Sequence, residues 1–154
     1  MGSTRLTRYI NAPRPRVYAT LLDRDADTRW KVPDGMTATV HAFEPHEGGA
    51  IRISLTYLAS DAQGKSSDHT DTYHGRFVEL ALNERIVEVD EFESENAELR
   101  GEMTITITLA DAEIGTMLLA VHEGLPAGVS EQNNEMGWNM SLGKLAALCE
   151  ATSA

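Results

Sequence analysis

Residues 130–150 read SEQNNEMGWNMSLGKLAALCE, and this run predicts a helix of about five turns. Ser130 is placed to cap the first turn, because a serine oxygen can accept a hydrogen bond from a free backbone N–H there. Glu131 and Glu135 lie near the helix N-terminus, where the positive end of the helix dipole favours acidic side chains. The chain is therefore expected to end in a long helix with a stabilised N-terminus.

Two apolar stripes are predicted along this helix, at the spacing typical of a buried helical face. The first stripe consists of Trp138, Leu142, Leu145 and Cys149. The second, placed beside it, consists of Met136, Met140 and Ala147. An apolar surface this broad predicts that the helix lies against a concave partner.

Upstream of the helix, apolar and polar residues alternate, which is typical of half-buried strands. The clearest example is MTITITL at residues 103–109. Seven strands are predicted, at residues 4–10, 37–43, 51–57, 70–82, 85–93, 103–109 and 115–123. Two short helical segments are predicted after the first strand, one around Val17–Leu22 and one at Asp23–Trp30, and residues 60–68 are predicted to form a flexible loop. Gly75, inside the fourth strand, predicts a bend or a close approach of another backbone.

Strands bracketed by helices, without β-α-β alternation, favour an α+β fold with an antiparallel sheet. Seven strands and one long helix predict a strongly curved sheet that wraps around the helix. Because twisted strands diverge where the helix crosses them, side chains cannot fill the whole gap, and such gaps bind ligands. The sequence therefore predicts an apolar cavity between sheet and helix.

Composition limits the function classes. The 154 residues suit a single domain, 1–154, and the net charge of -11 argues against nucleic acid as a partner. No run of about 18 apolar residues suggests a membrane span, and the N-terminus does not resemble a signal peptide. Cys149 is the single cysteine, which suits a reducing compartment. A cytoplasmic protein with no membrane partner is expected.

Short fragments along nearly the whole chain carry a family resemblance. They are Ile10–Pro13, Arg16–Tyr18, Trp30, Pro33–Met36, Gly48–Gly49, Gly75–Leu80, Glu84–Val87, His122–Pro126, Asn134–Trp138 and Ser141–Leu145. In this order and spacing they resemble the START/Bet v 1-like (SRPBCC) superfamily. Within it, the chain is similar to the branch named for the C-terminal domain of the activator of heat-shock protein 90 ATPase.

The resemblance implies the helix-grip fold and a deep apolar cavity, but no single reaction. Members of the superfamily include lipid carriers, plant hormone receptors, polyketide cyclases and cochaperones, so function has to be argued from the site. The namesake activity also comes with a separate N-terminal chaperone-binding domain, for which a single domain of this length has no room. This difference argues against chaperone activation.

The candidate cavity residues are the large flexible or aromatic side chains of the expected inward-facing stripes. They are Trp30, Met36, Ile53, Phe77, Phe92, Met103, Met117, Met136 and Met140. Methionine is notable among them because its flexible thioether adapts to irregular cavities and varied ligands.

The inward face of strand 85–93 is ambiguous, because a shift of one residue turns every side chain to the other face. The alternatives are Val87, Val89 and Glu91 inward, or Ile86, Asp90 and Phe92 inward, and the second is favoured. Either choice brings a carboxylate, Asp90 or Glu91, toward the cavity, where burial would raise its pKa. His122, near the end of the last strand, is a further candidate anchor for a polar ligand group.

No metal site, cofactor site or catalytic set is predicted. His69, Asp71 and His74 lie close together in sequence, but strand alternation puts His74 on the face opposite the other two. Zinc-ligand spacing, a glycine-rich phosphate loop and a nucleophile elbow are all missing from the sequence.

Three functions remain open. The leading hypothesis is a noncatalytic protein that binds a small hydrophobic or amphipathic molecule in the cavity. The second is an enzyme of the cyclase or dehydratase kind, in which Asp90 or Glu91 works with His122 on protons. The third is a protein-interaction module that binds a chaperone through its acidic surface. A second copy of the chain is also a candidate partner.

Overall fold

The computed structural model describes residues 2–32, 35–58 and 70–151. In these ranges the elements are β1 (Gly2–Ile10), α1 (Arg14–Leu21), α2 (Arg24–Trp30), β2 (Met36–Phe43), β3 (Ala50–Tyr57), β4 (Thr70–Ala81), β5 (Arg85–Phe92), a one-turn 3-10 helix (Ala97–Leu99), β6 (Met103–Asp111), β7 (Thr116–Leu125) and α3 (Glu131–Ala151). The predicted α+β order, with two short helices after the first strand and a long last helix, is confirmed. The loop predicted for residues 60–68 lies outside the described residues.

The strands form one antiparallel sheet in the described part of the chain, in the order β1-β7-β6-β5-β4-β3-β2. β1 and β2 are therefore at opposite edges, and α1 and α2 connect them across the face that α3 covers. The pairing shifts between Val40 and Ala42 and between Phe77 and Glu79. Such bulges bend a sheet and increase its twist.

The inner face of the sheet follows the alternation read from the sequence. In β6, Met103, Ile105, Ile107 and Leu109 are buried, and the threonines between them are half-buried. Ser130 caps α3 as predicted, because its Oγ accepts a hydrogen bond from the N–H of Asn133 over 3.0 Å.

The first predicted stripe of α3 faces the sheet, with Leu142, Leu145 and Cys149 fully buried. The second stripe is not a buried face, because Met136 is 54% exposed and Ala147 is also exposed. A helix turns by about 100° per residue, which carries Met136 and Ala147 away from the face on which Leu142 and Leu145 are buried. Ser141 and Ala146, next to the first stripe, are buried instead.

The apolar core lies under the second half of α3. Ile10, Val17, Leu118, Leu142 and Leu145 are all fully buried there. No helix within residues 2–32, 35–58 and 70–151 combines the length and apolar character needed to span a membrane.

Candidate functional site

A cavity of about 450 Å³ lies between the inner face of the sheet and the first half of α3. Its walls are mainly apolar and include Leu55, Phe92, Met103, Ile105 and Trp138. Gly128, Ser130, Asn133 and Met136 line it and are exposed, so the cavity opens beside the N-terminus of α3. Its volume is within the range of about 300–1,000 Å³ that is usual for small-molecule sites.

Seven of the residues singled out from the sequence line this cavity. They are Met36, Phe92, Met103, Met136, Met140, Asp90 and His122. Three others, Trp30, Ile53 and Phe77, also point inward but pack in the core, where they are 2%, 2% and 3% exposed. They do not line the cavity, because the chain packs tightly around them.

Met117 and Glu91 lie on the outer face of the sheet, so their assignment to the cavity is wrong. In β7 the fully buried Leu118 and Ala120 set the inward parity, and Met117 is 41% exposed. Glu91 points away from the cavity and accepts a hydrogen bond from the N–H of Gly101 over 3.0 Å.

The inward residues of β5 are Ile86, Glu88 and Asp90, which are 4%, 4% and 2% exposed. The favoured of the two alternatives for this strand is therefore the one that the structure has. Asp90 pairs with Gly75 of β4, and a Cβ at Gly75 would lie 2.1 Å from the Asp90 Oδ1 atom. Glycine is required at position 75 because a Cβ there would also lie 2.2 Å from the backbone carbonyl oxygen of Val89, which cannot move aside as a side chain could.

Lys31 is a cavity residue that the sequence did not reveal. It follows α2, whose first turn is capped by Asp23, and its own N–H donates to the carbonyl of Asp27 over 3.2 Å. Its Nζ lies 2.9 Å from Glu88 Oε1, and the two side chains are only 12% and 5% exposed. A lysine is usually assigned to the surface, so only the position of α2 above the sheet identifies this buried ion pair.

Aromatic rings surround the ion pair. The Lys31 Nζ is 5.7 Å from the ring centre of Tyr73 and 5.9 Å from that of Trp138, within cation–π range. The Trp138 ring in turn lies edge-on to His122, with centroids 4.5 Å apart, and to Trp30 at 6.0 Å. Lys31, Tyr73, Asp90 and His122 together form the polar floor of the cavity. Trp138 thus connects the helix to this floor.

Burial shifts the pKa values of the polar groups on this floor. Burial raises the pKa of Asp90 well above its usual value, and Glu88 raises it further, while Lys31 partly opposes the change. Burial also raises the pKa of Tyr73, and it lowers the pKa of His122 to about 4, with Lys31 adding to that decrease. Burial therefore favours the uncharged form of all three groups, a carboxylic acid, a phenol and a neutral imidazole.

The pKa values of Lys31 and Asp27 are shifted as well. Burial by itself would lower the pKa of Lys31, but Glu88 and the other nearby acids raise it well above its usual value. Burial raises the pKa of Asp27 to about 7, which Lys31 partly opposes and Glu88 increases. The lysine stays charged, and Asp27 changes protonation state near neutrality.

Three polar groups of the cavity floor have no hydrogen-bond partner among the described residues. They are both carboxyl oxygens of Asp90, the hydroxyl of Tyr73 and both ring nitrogens of His122. Buried polar atoms are normally satisfied by protein, water or ligand, because leaving one unpaired costs about 1–3 kcal/mol. These groups are therefore available to a molecule that enters the cavity.

A metal centre finds no support in the ranges that the structure describes, where no three histidine, cysteine or acidic side chains are grouped to hold an ion. Asp71 is 2% exposed and lines the cavity, whereas His74 is on the outer face beside Glu93. His69 lies outside the described residues.

One family model matches most of the chain. Residues 11–150 match the family model described as "Activator of Hsp90 ATPase homolog 1-like protein". A crystal structure of a protein from Chromobacterium violaceum is 36% identical, with a TM-score of 0.87 and 96% of each chain covered. A comparison with curated proteins finds no match.

More distant structures share the fold alone. A protein from Arthrobacter aurescens has 19% identity and a TM-score of 0.81, covering 98% of this chain and 87% of its own. The AHSA1-like protein from Aeromonas hydrophila has 14% identity and a TM-score of 0.73, covering 97% and 93%. With its helix-grip architecture and the match over residues 11–150, the chain belongs to the activator of Hsp90 ATPase homolog 1-like family of the START/Bet v 1-like superfamily.

Proposed function

We propose that this protein binds a small hydrophobic or amphipathic molecule in the cavity between the sheet and α3. The observation that carries the proposal is a cavity of about 450 Å³ whose mainly apolar walls end on a floor of unpartnered polar groups. An apolar wall provides affinity, and a few fixed polar groups orient the ligand. Family membership supports the same reading, because the superfamily fold is built around such a cavity.

The methionines offer a direct test, since they differ in position. Met103 and Met140 line the cavity, whereas Met117 lies on the outer face of β7. With 13C-methyl-labelled methionine, titration with 1-octanol should shift the Met103 and Met140 methyl signals in the NMR spectrum. The Met117 signal should stay in place, which separates binding in the cavity from adsorption on the surface.

A matched pair of substitutions strengthens this test. Met140→Trp should fill part of the cavity and weaken 1-octanol binding by about tenfold or more, because the added ring competes with the ligand for volume. Met117→Trp makes the same chemical change on the outer face and should leave binding unchanged. The proposal is wrong if apolar and amphipathic probes leave the cavity methyl signals unshifted, or if the two variants behave alike.

A cyclase or dehydratase activity is the second candidate, favoured by one observation. Asp90 and His122 face the same cavity from β5 and β7, and burial favours the uncharged form of both, a carboxylic acid and an imidazole. Groups whose pKa values are pushed in this way can donate and accept protons at neutral pH. Glu91 has no part in this candidate, because it lies on the outer face.

A test of this candidate needs substitutions that stop catalysis and leave ligand binding intact. Asp90→Asn and His122→Gln should each abolish turnover of a bound molecule, followed as a change of its mass, while binding persists. Turnover unaffected by both substitutions would exclude the pair as the catalytic groups.

Binding of a chaperone through the acidic surface, and self-association, stay predictions. If a chaperone is attracted through surface charge, its binding should weaken at high salt.

A further inference from the structure

Asp90, on the floor of the cavity, lies among more acidic groups than basic ones. Among the described residues, the charged groups that act on Asp90 are Glu88, Asp27 and Lys31, so two further carboxyl groups share a single ammonium. The Lys31 Nζ is already taken by Glu88, 2.9 Å away. Lys31 pairs with Glu88, so a second carboxylate among these groups would have no cation partner in the cluster of Asp27, Lys31, Glu88 and Asp90.

Asp90 is the carboxyl group left over. It is 2% exposed, it lines the cavity, and neither of its oxygens has a hydrogen-bond partner among the described residues. Its position is fixed by Gly75, where the absence of a side chain lets Oδ1 lie against the β4 backbone. A buried acid held in place at the edge of an empty volume is a ready partner for a donor on a ligand.

The rings around this point also favour a cation. Tyr73 and Trp138 already flank the Lys31 ammonium, and both line the cavity that Asp90 lines. Aromatic faces attract ammonium groups, most strongly where water is excluded. A ligand carboxylate would instead meet the carboxyl groups of Asp90 and Asp71, both of which line the cavity, and burying a negative charge without a cation beside it is costly.

We propose that the molecule bound in this cavity is an apolar compound with a primary amine, whose ammonium pairs with Asp90. The inference rests on the proposed ligand-binding function and adds the chemical class of the ligand. Binding converts Asp90 from carboxylic acid to carboxylate, and the released proton goes to solvent. The ammonium keeps its own protons, so each binding event at a pH where Asp90 is neutral releases about one proton.

The ionisable side chains near Asp90 come from several elements. They are Asp27 on α2, Lys31 after it, Asp71 and Tyr73 on β4, Glu88 on β5 and His122 on β7. From α3, the cavity is lined by asparagine, serine, glycine, methionine and tryptophan side chains, none of which titrates. Asp90 thus lines the cavity without a hydrogen-bond partner among the described residues, and it is the carboxyl group that an incoming ammonium can ionise.

Three probes of equal chain length test the ligand class by isothermal titration calorimetry: octylamine, 1-octanol and octanoate. Octylamine should bind about tenfold or more tightly than 1-octanol, because a charge-assisted hydrogen bond is about twice as strong as a neutral one. Octanoate should bind more weakly than 1-octanol. Titration in buffers of different ionisation enthalpy should show proton release with octylamine and none with 1-octanol.

Two neighbouring substitutions provide the control. Asp90→Asn should reduce octylamine binding to the level of 1-octanol and remove the proton release. Glu91→Gln removes a carboxylate one residue away on the outer face and should keep both the preference and the proton release. The proton count in the unmodified protein is an independent readout if Asp90→Asn folds poorly.

The outcomes separate this inference from the proposed function. If 1-octanol binds and shifts the cavity methionine signals but octylamine binds no more tightly, the amine inference is wrong and the binding function stands. Tightest binding of octanoate would also overturn it, and would point to Lys31 as the anchor. If none of the three probes shifts the Met103 and Met140 signals, the proposed function fails, and the amine inference fails with it.

Discussion

Replacing Asp27 with asparagine should stabilise the protein at pH 8 and have little effect at pH 4. Asp27 is 3% exposed, and burial raises its pKa from 3.8 to about 7. Between these two values the folded protein holds a proton that the unfolded chain has released. The free energy of unfolding therefore falls as the pH rises through this range, and it stays low above pH 7.

The size of the effect follows from the shift. About three pKa units, at about 1.4 kcal/mol each, give a cost of about 4 kcal/mol for keeping Asp27 in the folded protein at pH 8. Asparagine cannot ionise, so it avoids this cost, although it still buries an amide. We expect the variant to be about 2–4 kcal/mol more stable than the unmodified protein at pH 8, which is large against a typical domain stability of about 5–15 kcal/mol.

Urea unfolding followed by tryptophan fluorescence, repeated at pH 4, 5, 6, 7 and 8, measures this difference directly. The stability gain should grow between pH 4 and pH 7 and then level off. Asp25→Asn makes the same change at an exposed position of the same helix and should show no such trend. A gain that is the same at pH 4 and pH 8, or that shrinks as the pH rises, would refute the reasoning.

Other substitutions test the packing around the site. Gly75→Ala would place a Cβ 2.1 Å from Asp90 Oδ1, so we expect a loss of about 1–3 kcal/mol in urea unfolding and a weaker preference for octylamine in calorimetry. Lys31→Met leaves Glu88 buried without its cation and should cost about 3–5 kcal/mol at pH 7, again measured in urea. Ser130→Ala removes the acceptor that caps α3 and should cost about 1 kcal/mol, seen as a lower thermal midpoint.

Much of the fold could be predicted because its signals are local. The alternation at residues 103–109 gave the correct inward face of β6, and the serine before α3 gave its first turn. The predicted inward face was wrong where successive residues of a strand are all apolar. Residues 117–120, Met-Leu-Leu-Ala, are all apolar, so nothing local shows that Met117 faces outward and Leu118 inward.

The site was less predictable, since an inward-facing residue can pack in the core or line the cavity. Trp30, Ile53 and Phe77 face inward like Phe92, but they lie where the fold packs tightly. Which of the two occurs depends on where α3 crosses the sheet. No periodicity within one strand contains that information.

The sequence by itself determined the strands, the helices, their order and the family, because periods of two and 3.6 residues and a few capping and turn residues are properties of neighbouring positions. Only the tertiary structure decided that Lys31 pairs with Glu88, 57 positions away in sequence, and that Asp90 is left without a partner beside the cavity. The physical reason is that the energies of burial and charge pairing depend on distances in space. Those distances are set once the sheet has closed around the helix.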